Sequence, residues 1–296
     1  MPKFAGVWPA LVTPLTADDR IHVEVARRLV DDLIAAGVHG FYVCGGTGEG
    51  ILLPNDARKR MAETVLVQAK GRVPVIVHVG AAATADAMEL AAHAQRLGAD
   101  AVAAIPPFYY GVGFQAIKEH YQLIASASDL PLYLYYIPGS TGVTLTAAQM
   151  WELCQIPKVA GFKYSAYDLY TLERILDLGK GRLNVFSGPD EILASCLEVG
   201  VDGAIGSTYN FLPRHFIRLY EAARAGDWGR ARELQTQGNR VIEVYLKHGG
   251  LATIKEIMAM QGYDCGHCRR PIGQLSPTQV AALRADLEAV GFWNLV

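Results

Sequence analysis

Charged residues are scarce in this sequence of 296 residues, and no stretch of it concentrates positive charge. Asp, Glu, Lys and Arg together make up 19% of the residues, and the formal net charge is −2. A protein that binds nucleic acid would need clustered Lys and Arg opposite the phosphates. The composition therefore argues against a nucleic-acid partner and fits a small neutral or acidic ligand better. Apolar residues account for 51%, which supplies a large core and argues against disorder.

Long hydrophobic runs are also missing. The first 14 residues, MPKFAGVWPALVTP, lack the charged segment and the following apolar run of a signal peptide. The longest charge-free run, Leu130 to Trp151, is interrupted by PGSTG and by threonines, so it does not read as a membrane span. The sequence predicts a soluble, cytoplasmic protein with no membrane partner.

The cysteines and histidines show no pattern of a disulfide framework or a metal site. The five cysteines are an odd number and are scattered along the chain. Two of them form CGHC, half of a zinc site without a second pair. His78 and the other histidines lack metal-ligand spacing, and we interpret them as surface or locally bonded residues. No metal is therefore predicted. The cysteines are Cys44, Cys154, Cys196, Cys265 and Cys268.

Short apolar runs alternate with segments of helical period, and eight of these runs read as strands. Eight βα units with continuously apolar strands favour a closed parallel barrel over an open sheet. We therefore predict an α/β protein of the (β/α)8 TIM barrel class. The predicted strands are residues 6–12, 40–44, 73–79, 101–105, 131–137, 159–163, 183–187 and 202–206.

Several of the helical segments end on glycine, and Asp56, Thr84 and Thr146 stand where N-caps are expected. From about residue 226 onward no strand candidate remains, and the chain reads as three amphipathic helices. We predict that residues 1–225 form the barrel with its active site and that residues 226–296 form a helical extension packed on it. The predicted helices of the extension are residues 227–249, 251–260 and 276–291.

Lys163 ends the sixth predicted strand, although lysine is among the side chains least often buried. Active sites of such barrels lie at the C-terminal ends of the strands. Burial there disfavours an ammonium ion and leaves an amine that can attack a ketone as a Schiff-base nucleophile. The alternative is a lysine that reaches solvent or pairs with a carboxylate such as Glu49.

Other polar groups follow neighbouring strands. The GGTGEG turn places backbone amides and the Thr47 hydroxyl where they suit a carboxylate, or it is simply a tight turn. Tyr135 and Tyr136 alternate across the fifth strand, so one phenol faces the barrel interior and can act as general acid and base. Asp190 and Glu191 follow a Gly-Pro turn, where they bind substrate hydroxyls or cap the next helix.

These motifs together resemble the superfamily of dihydrodipicolinate synthase and N-acetylneuraminate lyase, and the likeness covers essentially the whole chain. The family turn resembles GGTGE at 45–49, the family tyrosine before x-x-Pro resembles Tyr135, and the family lysine resembles Lys163. The segment GAIGSTYNFL at 203–212 is similar to the lyase branch. Ser140 stands where the synthase branch carries an arginine, which argues against a synthase.

The resemblance implies a class I aldolase that cleaves N-acetylneuraminate to pyruvate and N-acetylmannosamine without a cofactor, through a covalent imine on Lys163. It implies that Tyr135 moves the proton of the sugar hydroxyl and that Gly46 and Thr47 bind the pyruvate carboxylate, with Thr47 among the catalytic residues. It also implies a homotetramer in which Tyr109 is lent across an interface. The residues expected on the sugar hydroxyls are Ser165, Gly188, Asp190, Glu191 and Ser207.

One departure from the family concerns Gly46, which stands where Ser or Thr is usual. It interrupts the hydroxyl relay from Tyr135 to the neighbouring subunit, unless water replaces it. Glycine there also resembles some dehydratase and sugar-acid aldolase branches. The alternatives are therefore an aldolase or dehydratase for another 2-keto-3-deoxy sugar acid, a dihydrodipicolinate synthase, or a non-catalytic barrel that binds a keto acid.

Overall fold

The computed structural model describes residues 4–296, and eight parallel strands form its centre. Their order is β1-β8-β7-β6-β5-β4-β3-β2, with every neighbouring pair parallel. A parallel bridge between Ala10 and Tyr42 joins the two ends of the sheet, so the barrel is nearly closed. The predicted (β/α)8 TIM barrel is confirmed. The strands are β1 Gly6–Pro9, β2 Phe41–Val43, β3 Val75–His78, β4 Ala101–Ala104, β5 Leu132–Tyr136, β6 Val159–Tyr164, β7 Asn184–Ser187 and β8 Gly203–Gly206.

The strand predictions were right in place, and the largest differences in length, three residues each, are at β1 and β3. At β1 the reason is visible. Residues 10–12 continue the predicted run but leave the regular ladder. Leu11 N donates to Tyr42 O across the seam at 2.9 Å. Val12 N donates instead to the side chain of Asn210 at 3.0 Å. A side chain from beyond β8 thus replaces a strand partner there, which apolar periodicity cannot reveal.

Helices cover the outside of the barrel and form the C-terminal region. Thr146 caps its helix in a capping box with Gln149, as predicted. The other two predicted N-caps were wrong by one or two positions. Asp56 lies inside the first turn, and Thr84 is the first helical residue, with its hydroxyl 2.9 Å from Nδ1 of His120. The helices are α1 Val23–Ala35, α2 Asn55–Ala69, α3 Thr84–Arg96, α4 Phe114–Ser126, α5 Pro138–Thr141, α6 Ala147–Leu153, α7 Leu169–Gly179, α8 Leu193–Val199, α9 Pro213–Arg224, α10 Trp228–Lys247, α11 Leu251–Met260 and α12 Pro277–Ala289.

The last three helices match the three that the sequence predicts for the C-terminal region. α10 packs along α9 and contacts α8, which brings the extension against the barrel. Its polar side chains reach the loop after β7, as described below. Among residues 4–296, no helix has both the length and the apolar character that crossing a membrane requires.

Buried apolar residues form two layers, one between the strands and the helices and one inside the barrel. Tyr135 belongs to the inner layer and Tyr136 to the outer one, in agreement with the alternation of a strand. Trp8, Tyr133 and Phe186 fill the inside of the barrel with close ring contacts. The interior is therefore a packed core, and the polar groups of interest lie where its strands end.

Candidate active site

Lys163 and Tyr135 are direct neighbours on β6 and β5. Both side chains are buried, and the amine donates a hydrogen bond to the Tyr135 hydroxyl at 3.3 Å. Lys163 Nζ also lies 4.3 Å from the ring centroid of Tyr135 and 5.1 Å from that of Tyr42. Lys163 is buried and so does not reach solvent. It does not pair with Glu49 either, because Glu49 forms its ion pair with Lys255. A primary amine and a phenol thus lie together among aromatic rings, and we call the group of Lys163, Tyr135 and Tyr42 the aromatic pocket.

The GGTGEG turn approaches this pocket through Tyr42. A Cβ atom on Gly45 would lie 2.5 Å from the Tyr42 ring, so the turn packs on the aromatic side chain that faces Lys163. Gly46 is exposed with open space at its Cβ position, and Thr47 is half-buried. Both residues predicted to bind a carboxylate therefore lie on the exposed side of the turn.

Two glycines of this turn are required by close backbone approach. A Cβ atom on Gly50 would lie 1.8 Å from the carbonyl oxygen of Cys44, and one on Gly48 would lie 2.8 Å from that of Leu11. Thr13 donates to the Gly48 carbonyl at 2.6 Å, which ties the turn to the segment after β1. The turn is therefore held rigidly at the end of β2.

Glu49 anchors the turn to the C-terminal region. Its Oε1 lies 2.7 Å from Nζ of Lys255 on α11, and both side chains are almost fully buried. Its Oε2 accepts a short hydrogen bond from the backbone N–H of Arg269. Lys255 also donates to the His267 carbonyl at 2.6 Å. An ion pair between distant segments thus supports the turn that carries Gly46 and Thr47.

We expect Lys255→Met to lower the free energy of unfolding by roughly 3–5 kcal/mol, because it leaves the Glu49 carboxylate buried without its cation. Urea unfolding measures the loss. The double variant Lys255→Met with Glu49→Gln should recover much of it. The control is Lys118→Met, which breaks the more exposed pair with Glu152 and should cost about 1 kcal/mol or less. An equal loss in both single variants would contradict the expectation.

His78 at the end of β3 is a buried polar residue next to the amine and phenol. Its ring centroid lies 5.8 Å from that of Tyr135 and 5.9 Å from that of Tyr42. Burial, reinforced by the positive charge of Arg58, lowers the pKa of His78 to about 3. The ring is therefore neutral at physiological pH, with Nδ1 donating to the Cys44 carbonyl at 3.1 Å. Nε2 has no hydrogen-bond partner among residues 4–296.

The interpretation of His78 as a locally bonded residue was right, but its place beside the pocket was missed. The available signal was its position: it follows the apolar residues Val75, Ile76 and Val77 at a strand end. A polar residue at the C-terminal end of a barrel strand is a site candidate for the same reason that Lys163 is.

The pKa of His78 predicts acid sensitivity. A histidine whose pKa is lowered by folding contributes stability that is present above its unfolded value of 6.5 and lost as pH falls toward 3. Between pH 7.5 and pH 5 the loss is about 2 kcal/mol. We expect His78→Asn, which keeps a donor near the Nδ1 position, to flatten this part of the pH dependence. Urea unfolding at both pH values measures the slope; equal slopes in both proteins would contradict the assignment.

Asp190 opens a short 3-10 helix after β7 and is buried. Its Oδ2 accepts hydrogen bonds from the backbone N–H of Thr208 at 2.9 Å and from the Thr208 hydroxyl at 2.7 Å. Burial raises its pKa to about 6, and the two bonds from Thr208 oppose the rise. The side chain does not cap the helix. It fixes the segment after β8 against the segment after β7.

Helix α10 supports the backbone of the segment after β7, which the sequence did not indicate. Gln235 Nε2 donates to the Asp190 carbonyl at 2.9 Å, and Asn239 Nδ2 donates to the Glu191 carbonyl at 3.0 Å. Gln235 Oε1 accepts from Ala194 N at 2.9 Å. The C-terminal region therefore fixes the backbone of two predicted site residues.

The remaining predicted residues divide into two groups. Ser165, Gly188 and Ser207 are partly buried at neighbouring strand ends. The Ser165 hydroxyl lies directly over Gly188, where a Cβ atom would come within 1.8 Å of it. Tyr109 stands apart. Its side chain is 79% exposed, and its ring contact within residues 4–296 is with Tyr110.

No group of three or more His, Cys, Asp or Glu side chains that could hold a metal ion occurs within residues 4–296. Cys265 and Cys268 of the CGHC segment are buried free thiols. Burial raises the pKa of Cys265 to about 12 and that of Cys268 to about 11, so both stay protonated.

Known proteins match this chain over nearly its full length. Residues 3–290 match the Dihydrodipicolinate synthetase family. An N-acetylneuraminate lyase of Rhizobium meliloti is 37% identical over 292 residues, covering 99% of this chain and 97% of the relative. The structure of CdNal from Clostridium difficile in complex with mannosamine has a TM-score of 0.94 at 32% identity, over 98% of this chain and 100% of that one.

A second solved structure, a catalytic lysine mutant of the sialic acid aldolase of Ruminococcus gnavus, has a TM-score of 0.94 at 31% identity, over 99% of this chain and 98% of that one. The matches confirm the predicted enzyme class, a pyruvate-dependent class I aldolase. By sequence and by fold, the chain belongs to the dihydrodipicolinate synthetase family.

Proposed function

We propose that this aldolase cleaves N-acetylneuraminate to pyruvate and N-acetylmannosamine through an imine on Lys163. The observation that carries the proposal is the buried contact of 3.3 Å between the Lys163 amine and the Tyr135 hydroxyl at the barrel mouth. The names of the relatives, an N-acetylneuraminate lyase and a sialic acid aldolase with a catalytic lysine, support the choice of substrate.

The chemistry follows from the two side chains. The Lys163 amine adds to the C2 ketone of the open-chain sugar acid, and loss of water gives a protonated imine. Tyr135 takes the proton of the C4 hydroxyl as the C3–C4 bond breaks, and the bond electrons move into the imine to form an enamine. The aldose leaves. Protonation of C3 and hydrolysis then release pyruvate and restore the amine.

The GGTGEG turn supplies the carboxylate site in this proposal. Gly46 and Thr47 lie on its exposed side, where backbone N–H groups and the Thr47 hydroxyl can bind the pyruvate carboxylate. The wall assigned to the sugar hydroxyls consists of Ser165, Gly188, Asp190, Glu191 and Ser207. Within it, Asp190 also accepts a hydrogen bond from the Thr208 hydroxyl and so positions the segment after β8. Ser140 in place of an arginine favours the lyase over the synthase.

Borohydride trapping with pyruvate, followed by peptide mass spectrometry, tests the imine. We expect one reduced adduct on Lys163. Cleavage of N-acetylneuraminate and of shorter 2-keto-3-deoxy acids, measured side by side, then tests the substrate. Saturable pyruvate binding with no adduct would favour a non-catalytic barrel. An adduct with cleavage or dehydration of another acid alone would retain the imine and replace the substrate.

The homotetramer, the role of Tyr109 across its interface and the cytoplasmic location are part of the same proposal, as the resemblance implies them. The large exposed fraction of Tyr109 in the single chain is compatible with a role at an interface. Sedimentation of the purified protein tests the assembly. The cleavage activity of a Tyr109→Ala variant, compared with that of the wild type, tests the role of the side chain.

A further inference from the structure

Tyr167 makes a contact that none of the predicted roles explains. It lies between β6 and α7, four residues after Lys163, and is 67% exposed. Its hydroxyl donates a short hydrogen bond to Oε1 of Glu191, in the segment after β7. An exposed aromatic ring is thus joined to a carboxylate of the wall assigned to the sugar.

The bond leaves the phenol protonated. The hydrogen bond to Glu191, with a smaller contribution from burial, raises the pKa of Tyr167 to about 12. Tyr167 is therefore a hydrogen-bond donor at every physiological pH, and the carboxylate is the acceptor.

Hydrogen bonds hold both the side chain and the backbone of Glu191. Its carboxylate accepts from Tyr167, and its carbonyl accepts from Asn239 of α10 at 3.0 Å. A glutamate side chain that is free in solvent samples several rotamers, and ordering it costs free energy when a ligand binds. The bond from Tyr167 holds the carboxylate, and the bond from Asn239 holds the backbone that carries it, before any ligand arrives.

The contact lies in the outermost layer of the site. Lys163 is 5% exposed, Ser165, Gly188 and Glu191 are partly buried, and Tyr167 is 67% exposed. A substrate joined to Lys163 at C2 can therefore reach Tyr167 and Glu191 only with the part of its chain farthest from the reacting carbons.

We propose that Tyr167 determines specificity for chain length by fixing Glu191 so that it binds the distal hydroxyls of a long 2-keto sugar acid. This inference rests on the proposed function and adds a positioning residue to it. Tyr167 acts through Glu191, while Lys163 and Tyr135 carry the reaction.

The test compares Tyr167→Phe, which removes the hydroxyl alone, with Tyr170→Phe. Tyr170 is 76% exposed, and its hydroxyl makes no hydrogen bond among residues 4–296, so it is a matched control. We expect Tyr167→Phe to raise the KM for N-acetylneuraminate roughly tenfold, as loss of a bond to a charged group does, with little change in kcat. The inhibition constant of pyruvate, which occupies the inner layer only, should stay unchanged. Tyr170→Phe should alter neither constant.

The outcomes separate this inference from the proposed function. An unchanged or lowered KM in Tyr167→Phe, or an equal change in the pyruvate constant, would overturn the role of Tyr167 while the borohydride adduct on Lys163 persisted. If the wild-type protein cleaves a different long acid, its KM replaces that of N-acetylneuraminate in the same comparison. Absence of the adduct in the wild type would instead reject the imine mechanism itself.

Discussion

Lys163→Ala should lower the rate of aldol cleavage by at least about 10⁴-fold, to the background of the assay. Without the amine no imine forms, and the electrons of the C3–C4 bond have no acceptor. Lys163→Arg should be equally inactive, because a guanidinium group has similar length but cannot form an imine. The rate of pyruvate formation, measured with a coupled dehydrogenase, gives the result.

Lys158→Gln is the matched control for lysine removal. Lys158 lies next to the start of the same strand, and its amine binds the Ser128 carbonyl at 2.8 Å and Asp129 at 2.9 Å, outside the pocket. We expect nearly normal cleavage in this variant. Residual cleavage clearly above the background of the assay in Lys163→Ala, or a borohydride adduct on another lysine, would refute the role of Lys163.

Tyr135→Phe should lower kcat by about 10²–10⁴-fold, the usual contribution of a general acid or base. The ring, and with it the packing against Tyr42 and His78, is retained, so the protein should stay folded. Lys163 keeps its amine, and trapping with pyruvate should still label it. A variant that traps pyruvate but turns over slowly would therefore separate imine formation from proton transfer.

The control for this second prediction is Tyr136→Phe. The Tyr136 hydroxyl faces the outer layer and accepts a hydrogen bond from Leu145 N at 3.4 Å. Its loss should change kcat by no more than a few-fold. Equal losses of kcat in both variants would indicate that the strand, and not the phenol beside Lys163, had been disturbed.

The sequence predicted the parts of this site that depend on one strand at a time. Apolar runs gave the eight strands, and the rule that barrel strands end at the active site selected Lys163. The alternation of Tyr135 and Tyr136 showed that one of them faces inward. Which of the two it is depends on the register with Lys163, and strand periodicity alone does not supply that register.

The contacts that were missed join segments far apart in the chain. Glu49 pairs with Lys255, and Glu191 is held by Asn239 and Tyr167, all through polar side chains in loops or on helix faces. Local periodicity reports which face of an element is buried, but it does not report which distant loop lies opposite. For the same reason the sequence could not decide between the two roles considered for Asp190.

The support of the Asp190–Glu191 backbone by α10 has a consequence for how substrate range can change. Gln235 and Asn239 contact the main chain of the wall, so substitutions there can shift both carboxylates without altering any group that reacts. Mutagenesis aimed at new sugar acids should therefore include α10 along with the residues that line the mouth. During evolution, substitutions on α10 can change the range of substrates while the barrel residues that cleave the carbon–carbon bond stay the same.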